Sequence, residues 1–188
     1  MDIHTQDSAA LDLLDDLVGK LTDEQLTAPT PCAGWTVRDL VDHMNTEHEA
    51  ITHALLPASE PLDADPRVAF AQATSRWRAA FGRPGVLEED VHLPGYGIRL
   101  PCRQVLSVHL ADMLTHYWDI GRAIDHPVDL PADLLSVAVP IARALPADGP
   151  LRGHGRAYAS PVVAPDGGSL VDELVAALGR SPSWRAPR

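Results

Sequence analysis

The stretch VHLADMLTHYWDIGRA, residues 108–123, sets His109, Asp112, His116 and Asp119 at steps of three and four within an otherwise apolar run. At about 100° per residue these four share roughly one quarter-turn of a helix. Val108, Leu110, Ala111, Met113, Leu114, Tyr117, Trp118 and Ile120 make the rest of its circumference largely apolar, so the helix is expected to be buried on most sides. Carboxyl and imidazole groups in a core are costly unless a charge partner, a hydrogen-bond network, a wet cavity or a metal satisfies them. Asp112 and His116 are four apart, the spacing at which two side chains of one helix converge on one ion. Such an ion needs at least one further ligand, and His43 offers it from the edge of another helix's apolar face, beside Leu40 and in line with Glu47. The residues by themselves leave other readings open. His43 suits a solvated or core-satisfied histidine, and Asp112 with His116 suits an ordinary hydrogen-bonded pair.

The elements that must position these groups are mostly helical. Residues 8–21 have leucines and valine at helical spacing, and the turn-rich TAPTPCAGW at 27–35 ends that segment. Thr36 with Asp39 resembles a capping box, and Val37, Leu40, Val41, Met44, Ile51 and Leu55 form the apolar face of the helix behind it. Residues 57–66 read as a loop, and 66–81 as a helix opened by Pro66. Residues 86–101 hold either two short strands or a plain connection. A helix over 102–124 follows, then one over 131–145 that is expected to break or kink near Pro140. A Gly/Pro-rich stretch with a candidate strand at AYASPVVA (157–164) leads to a last short helix stopped by Gly179. The helices are long enough for a bundle.

A chain of 188 residues fits one domain with a real core. The net charge of −11 leaves no basic patch for nucleic acid and disfavours an anionic membrane surface. No apolar run is long enough to cross a bilayer, and the polar MDIHTQDSAA start does not read as a signal peptide. Cys32 and Cys102 are too few for a disulfide framework, so a cytoplasmic protein with reduced thiols is expected. Nine histidines are more than this length needs.

Three blocks then carry a resemblance: TPCAGWTVRDLVDHM (30–44), HLADMLTHYWDIGRAI (109–124) and LVAALGRSPSW (174–184). In order and spacing they resemble the DinB-like metal-binding superfamily, in the actinobacterial branch related to the N-terminal domain of mycothiol-dependent maleylpyruvate isomerase. The resemblance implies an all-α, DinB-like four-helix bundle with extra short helices, forming a single metal-binding domain over residues 1–188, with a short hairpin as one option in its connections. It also implies a divalent ion held by a His on the second helix and an acid-x-x-x-His pair on a later one, which fall on His43, Asp112 and His116. Where the isomerase has Glu, this chain has the shorter Asp112. The isomerase also carries a C-terminal domain that contributes to its active site, for which this chain leaves no room, so maleylpyruvate isomerisation itself is not expected.

Three protein ligands with an open position suit a catalytic ion. Two nitrogens and one oxygen suit zinc, with nickel, iron and manganese as alternatives. The resemblance implies a low-molecular-weight thiol such as mycothiol as the co-reactant, and so a thiol S-transferase or isomerase acting on a small electrophilic substrate. A hydrolase using metal-bound water, a non-catalytic stress-associated metal protein and a helical interaction module are the competing readings. A homodimer is compatible with the sequence. Two further residues are candidate catalytic groups. Asp119 would orient a ligating His, or else bond Arg122 or a neighbouring loop. His109 would be a general base, a pocket wall or a satisfied core His. Trp35 is expected as a hydrophobic plug, Cys32 as a buried structural cysteine and Trp184 as a staple for the tail. Tyr117 and Trp118 should pack the bundle. His48, His53, His92, His126 and His154 are expected on the surface or in loops, and Glu47 and Glu49 on a solvated face.

Overall fold

The computed structural model describes residues 2–56, 60–93, 95–149, 151–152 and 158–187. Its elements run α1 (Ile3–Gly19), α2 (Val37–Leu55), α3 (Pro66–Phe81), β1 (Asp90–Leu93), β2 (Ile98–Pro101), α4 (Cys102–Ala123), α5 (Ala132–Ala144) and α6 (Leu170–Ala177). The helix starts are set by local chemistry. Thr36 and Asp39 close a reciprocal capping box on α2, and Ser169 and Asp172 close another on α6. Asp65 caps α3, with Pro66 in its first turn. Asp2 accepts the Thr5 N–H at 2.9 Å, so α1 begins at Ile3, ahead of the segment in which its apolar period becomes visible.

The helices form a four-helix bundle. α2 packs mainly on α3, and α1 packs on both α4 and α3. Leu11, Leu14, Leu40, Phe70, Trp77, Leu106, Leu110 and Leu114 are among the fully buried side chains at its centre. α5 covers α4 and carries α6 on its other side. α2 and α4 meet only sparsely, and a cavity lies between them. Of the two options for residues 86–101 the hairpin is the one formed. β1 and β2 are antiparallel, pairing Asp90 with Pro101 through Leu93 with Ile98, and Leu93 and Leu100 wall the cavity.

Two expectations are corrected. α5 runs unbroken through Pro140. That ring sits on the exposed face, and the carbonyl it leaves without a partner, that of Ser136, is on the same face, where water can serve it. Residues 158–164 form no strand, and in this stretch an isolated bridge pairs Tyr158 with Arg152. The buried Arg152 guanidinium donates to the carbonyls of Pro146, Ala159 and Ala177, and so engages the Ala159 acceptor of this stretch. Ala157 and His154, like residues 57–59 of the expected loop, lie outside the described residues. Among the described residues no helix is long and apolar enough to cross a membrane.

Gly179 ends α6 at φ +83°, and a Cβ there would meet the Cβ of Ala159 at 2.8 Å and its backbone at 3.0 Å. The left-handed conformation alone costs a non-glycine residue roughly 1–2 kcal/mol. Gly179→Ala is therefore expected to destabilise the protein by at least that amount in urea unfolding. An unchanged midpoint would show that the tail is not packed as described.

Candidate metal centre

α4 is buried nearly all round because three elements cover it: α1, α5 and the segment leading out of α6. Its polar stripe divides into two groups, one at each end of the cavity-facing side.

The first group centres on His116, which is 3% exposed. Its Nδ1 lies 3.0 Å from Asp119 Oδ2, and its Nε2 lies 3.5 Å from Asp112 Oδ1. His43 of α2 faces it edge-on, with ring centres 6.1 Å apart and planes at 85°. His43 and Asp112 both line the cavity, which has a volume of about 80 Å³. The fold thus brings His43 and Asp112, predicted from separate parts of the sequence, to one cavity wall, with His116 buried against both. Asp119 is fully buried and meets Arg180, not Arg122, with Nη2 to Oδ2 at 3.0 Å.

Electrostatics follow from this packing. Burial disfavours charge on His116, but the Asp112 and Asp119 carboxylates overcome it and lift the imidazole to about 9. Burial likewise works against the Asp112 charge, yet His116, Arg180 and His43 hold that carboxyl well below its usual range. His43 is lowered, first by burial and then by His116, and so tends to the neutral form that ligates metals.

A second cluster, Cys32, His116 and Asp119, has donor atoms within 4.8 Å of one another. It already contains a cation, since Arg180 Nη2 is 3.4 Å from Cys32 Sγ as well as 3.0 Å from Asp119. Burial and the neighbouring Asp119 push the Cys32 thiol up to about 12, so it is protonated rather than the thiolate a metal needs. Arg180 fills that place. His43, Asp112 and His116 are a looser set than that cluster, with His116 Nε2 facing Asp112 Oδ1 and the edge of the His43 ring. Nδ1 of His116 is engaged by a carboxylate, which leaves Nε2 as the ligating atom beside a second imidazole and a carboxylate oxygen.

Several expectations change at the site. His48 is 1% exposed rather than on the surface, because α2 turns it toward Trp77 and His109 under α3. His53, His92 and His126 are exposed as expected. Glu47 is half-buried on the cavity wall instead of solvated, and burial with the nearby Asp112 raises its carboxyl. Glu49 is half-buried against Arg76, at 2.7 Å. Trp35 is no internal plug: it is 37% exposed and leans over the outer side of His43 at 4.9 Å. Cys32 is half-buried, and Arg180, rather than the half-buried Trp184, anchors the tail to the bundle core. Tyr117 and Trp118 are buried as expected. His109 lines the cavity, while its Nδ1 meets Asp7 of α1. Sequence reasoning missed Asp7, His48 and Arg180 as members of these networks. Only Asp7 and His48 carried a signal, as polar residues on apolar helix faces.

The fold and the site define a helical bundle with a histidine–carboxylate centre opening on an internal cavity. Residues 8–121 match the family model of the mycothiol maleylpyruvate isomerase N-terminal domain, and the chain belongs to that family. It is 33% identical over 168 residues to uncharacterized proteins from two strains of Mycobacterium tuberculosis, covering 88% of this chain and 90% of theirs. Crystal structures of mycothiol-dependent maleylpyruvate isomerase and of a mutant of it share the fold, with a TM-score of 0.59 at 14% and 13% identity, over 76% of this chain and 67% of theirs.

His116 makes metal-free protein pH-sensitive in a defined direction. Its folded value of about 9 exceeds the ordinary 6.5, so the stability it contributes is fully present below 6.5 and is lost as pH rises toward 9. Thermal unfolding of chelator-treated protein is expected to show a falling Tm across that window. His116→Gln should remove this part of the slope, and a slope identical to wild type would exclude His116 as its source.

Proposed function

We propose that the chain is a divalent-metal-dependent enzyme of the thiol S-transferase or isomerase type, using a mycothiol-like thiol on a small electrophilic substrate. In this reading His43, Asp112 and His116 hold the ion, with zinc favoured by two nitrogens and one oxygen. The observation that carries the assignment is the His116 imidazole, fixed through Nδ1 by the buried Asp119 and presenting Nε2 toward Asp112 and the edge of His43. The ion, when bound, supplies acidification of a thiol so that it attacks carbon near neutral pH.

The chain's own residues do the remainder. Asp119 acts through His116 as a positioning residue: it accepts the Nδ1 proton, selects the ring tautomer and blocks rotation. Arg180 keeps Asp119 ionised for that purpose, since burial alone would raise its carboxyl. Met44, Ile51, Val105, Val108 and Met113 give the cavity apolar walls, which exclude water from a reactive electrophile. Glu47, beside Asp112 on the wall, offers a polar contact for the substrate. The family membership supports a thiol co-reactant and a small-molecule substrate.

Protein purified without a histidine tag is expected to contain one equivalent of zinc by elemental analysis, lost in His43→Ala and in His116→Ala. Asp119→Asn should bind zinc about 10–100-fold more weakly, with a lowered Tm because the buried Arg180 loses its counter-charge. Mycothiol is expected to change the absorption spectrum of cobalt-substituted protein. Full zinc occupancy in both alanine variants would refute the ligand assignment, and ester or amide turnover without thiol would assign the chemistry to water instead.

A further inference from the structure

The other end of the polar stripe belongs to a network that the proposed metal chemistry does not use. Asp7 of α1, His48 of α2, Trp77 of α3 and His109 of α4 are all buried, one from each helix of the bundle. Asp7 Oδ1 is 2.5 Å from His109 Nδ1, and Asp7 Oδ2 accepts the Trp77 indole N–H at 3.0 Å. His109 Nε2 is 2.8 Å from His48 Nε2. Trp77 stacks on the His109 ring at 3.9 Å and 23°. His48 Nδ1 is buried and has no hydrogen-bond partner among the described residues. His48 and His109 both line the cavity that His43 and Asp112 line.

With both imidazoles neutral, these contacts set the direction of each proton. The Asp7 carboxylate can only accept, so His109 donates from Nδ1 and carries its lone pair on Nε2. His48 must then donate from Nε2, which leaves a bare lone pair on its Nδ1. Burial, followed by His109, keeps His48 well below the usual imidazole range, so it rests neutral. Of the other titratable groups acting on it, Asp112 favours a proton there, while His116 and His43 oppose one.

We propose that Asp7, His109 and His48 form a proton relay serving the cavity, with His48 Nδ1 as the terminal acceptor for a hydroxyl, enol or thiol proton of a small ligand. A proton arriving at His48 Nδ1 sends the His48 Nε2 proton to His109 Nε2. His109 then holds two N–H groups as an imidazolium between Asp7 and His48, and the reverse transfer returns the proton to the ligand. No other bond changes, and one proton is conserved throughout. Asp7 and the face of Trp77 stabilise the imidazolium, so both are positioning residues. The relay shares the cavity of the proposed thiol chemistry but requires no metal.

The test is nitrogen NMR of full-length protein labelled at histidine, with and without zinc, assigned with His48→Gln and His109→Gln. At the alkaline end the rings are expected as the Nε2–H tautomer of His48 and the Nδ1–H tautomer of His109. As pH falls the pair should take up one proton, held across the Nε2–Nε2 contact, while far-UV circular dichroism stays native. Asp7→Asn should lower the midpoint by at least one pH unit, a tenfold loss of proton affinity. Two rings that stay neutral until the fold is lost, or a midpoint unmoved in a folded Asp7→Asn protein, would overturn the relay. If that variant does not fold, the wild-type titration decides. Titration in a protein that binds no zinc refutes the metal reading alone, and zinc binding with two static rings refutes the relay alone.

Discussion

The Asp119 carboxylate has no exposed surface, and it holds together parts of the chain that are far apart in sequence. One oxygen meets His116 Nδ1 at 3.0 Å and Arg180 Nη2 at 3.0 Å. A carboxylate in that position would be protonated by desolvation alone, and two cationic donors keep it charged. The orientation of His116 depends on that charge, since a protonated Asp119 could no longer select the Nδ1–H tautomer. The docking of the tail depends on it too, because Arg180 is buried and needs its counter-charge. Gly179 makes the turn that delivers Arg180, and a side chain there would collide with Ala159. The His116 ring, at the α2–α4 cavity wall, is thereby coupled to a turn beyond α6.

The cavity is the second constraint. α2 and α4 each pack well on other helices and meet one another only sparsely, so a largely apolar gap with a few polar groups on its wall survives in an otherwise close-packed core. Both ends of that gap use the same device, a buried carboxylate that fixes an imidazole through Nδ1: Asp119 with His116, and Asp7 with His109. In each case the ring's Nε2 is left for the inside of the site. The difference lies in what faces that nitrogen. His116 looks toward the Asp112 carboxylate and the edge of His43, whereas His109 looks toward the His48 imidazole.

Arg180 also accounts for a feature that donor spacing alone would misread. Cys32, His116 and Asp119 are close enough to chelate, yet a guanidinium already neutralises them and the thiol keeps its proton. Proximity of ligand types is therefore a weaker guide than the charge already present among them.

The sequence by itself determined the helices, their caps and the face of α4 on which chemistry collects. Periodicity, a capping box at Thr36 and punctuation by Gly and Pro are local properties, and they need no knowledge of neighbours. It also singled out His109, Asp112, His116 and Asp119, because polar groups at helical spacing on an apolar stretch are conspicuous wherever the helix is placed, while His43 joined Asp112 and His116 through the family resemblance. The tertiary structure alone decided which elements cover which face, and three readings turned on that. His48 follows Met44 by four residues on the apolar face of α2, yet its residue type reads as surface, and the packing of α3 over it decided for the core. Trp35 reads as a plug from composition, but its turn leaves it leaning over His43 with one side open to solvent. Asp7 and Arg180 are ordinary surface residue types in the sequence, and they are buried because distant partners, Trp77 with His109 and Asp119, lie within hydrogen-bond reach in three dimensions. Local chemistry fixes where a side chain points relative to its own helix, and only the assembled bundle fixes what it meets there.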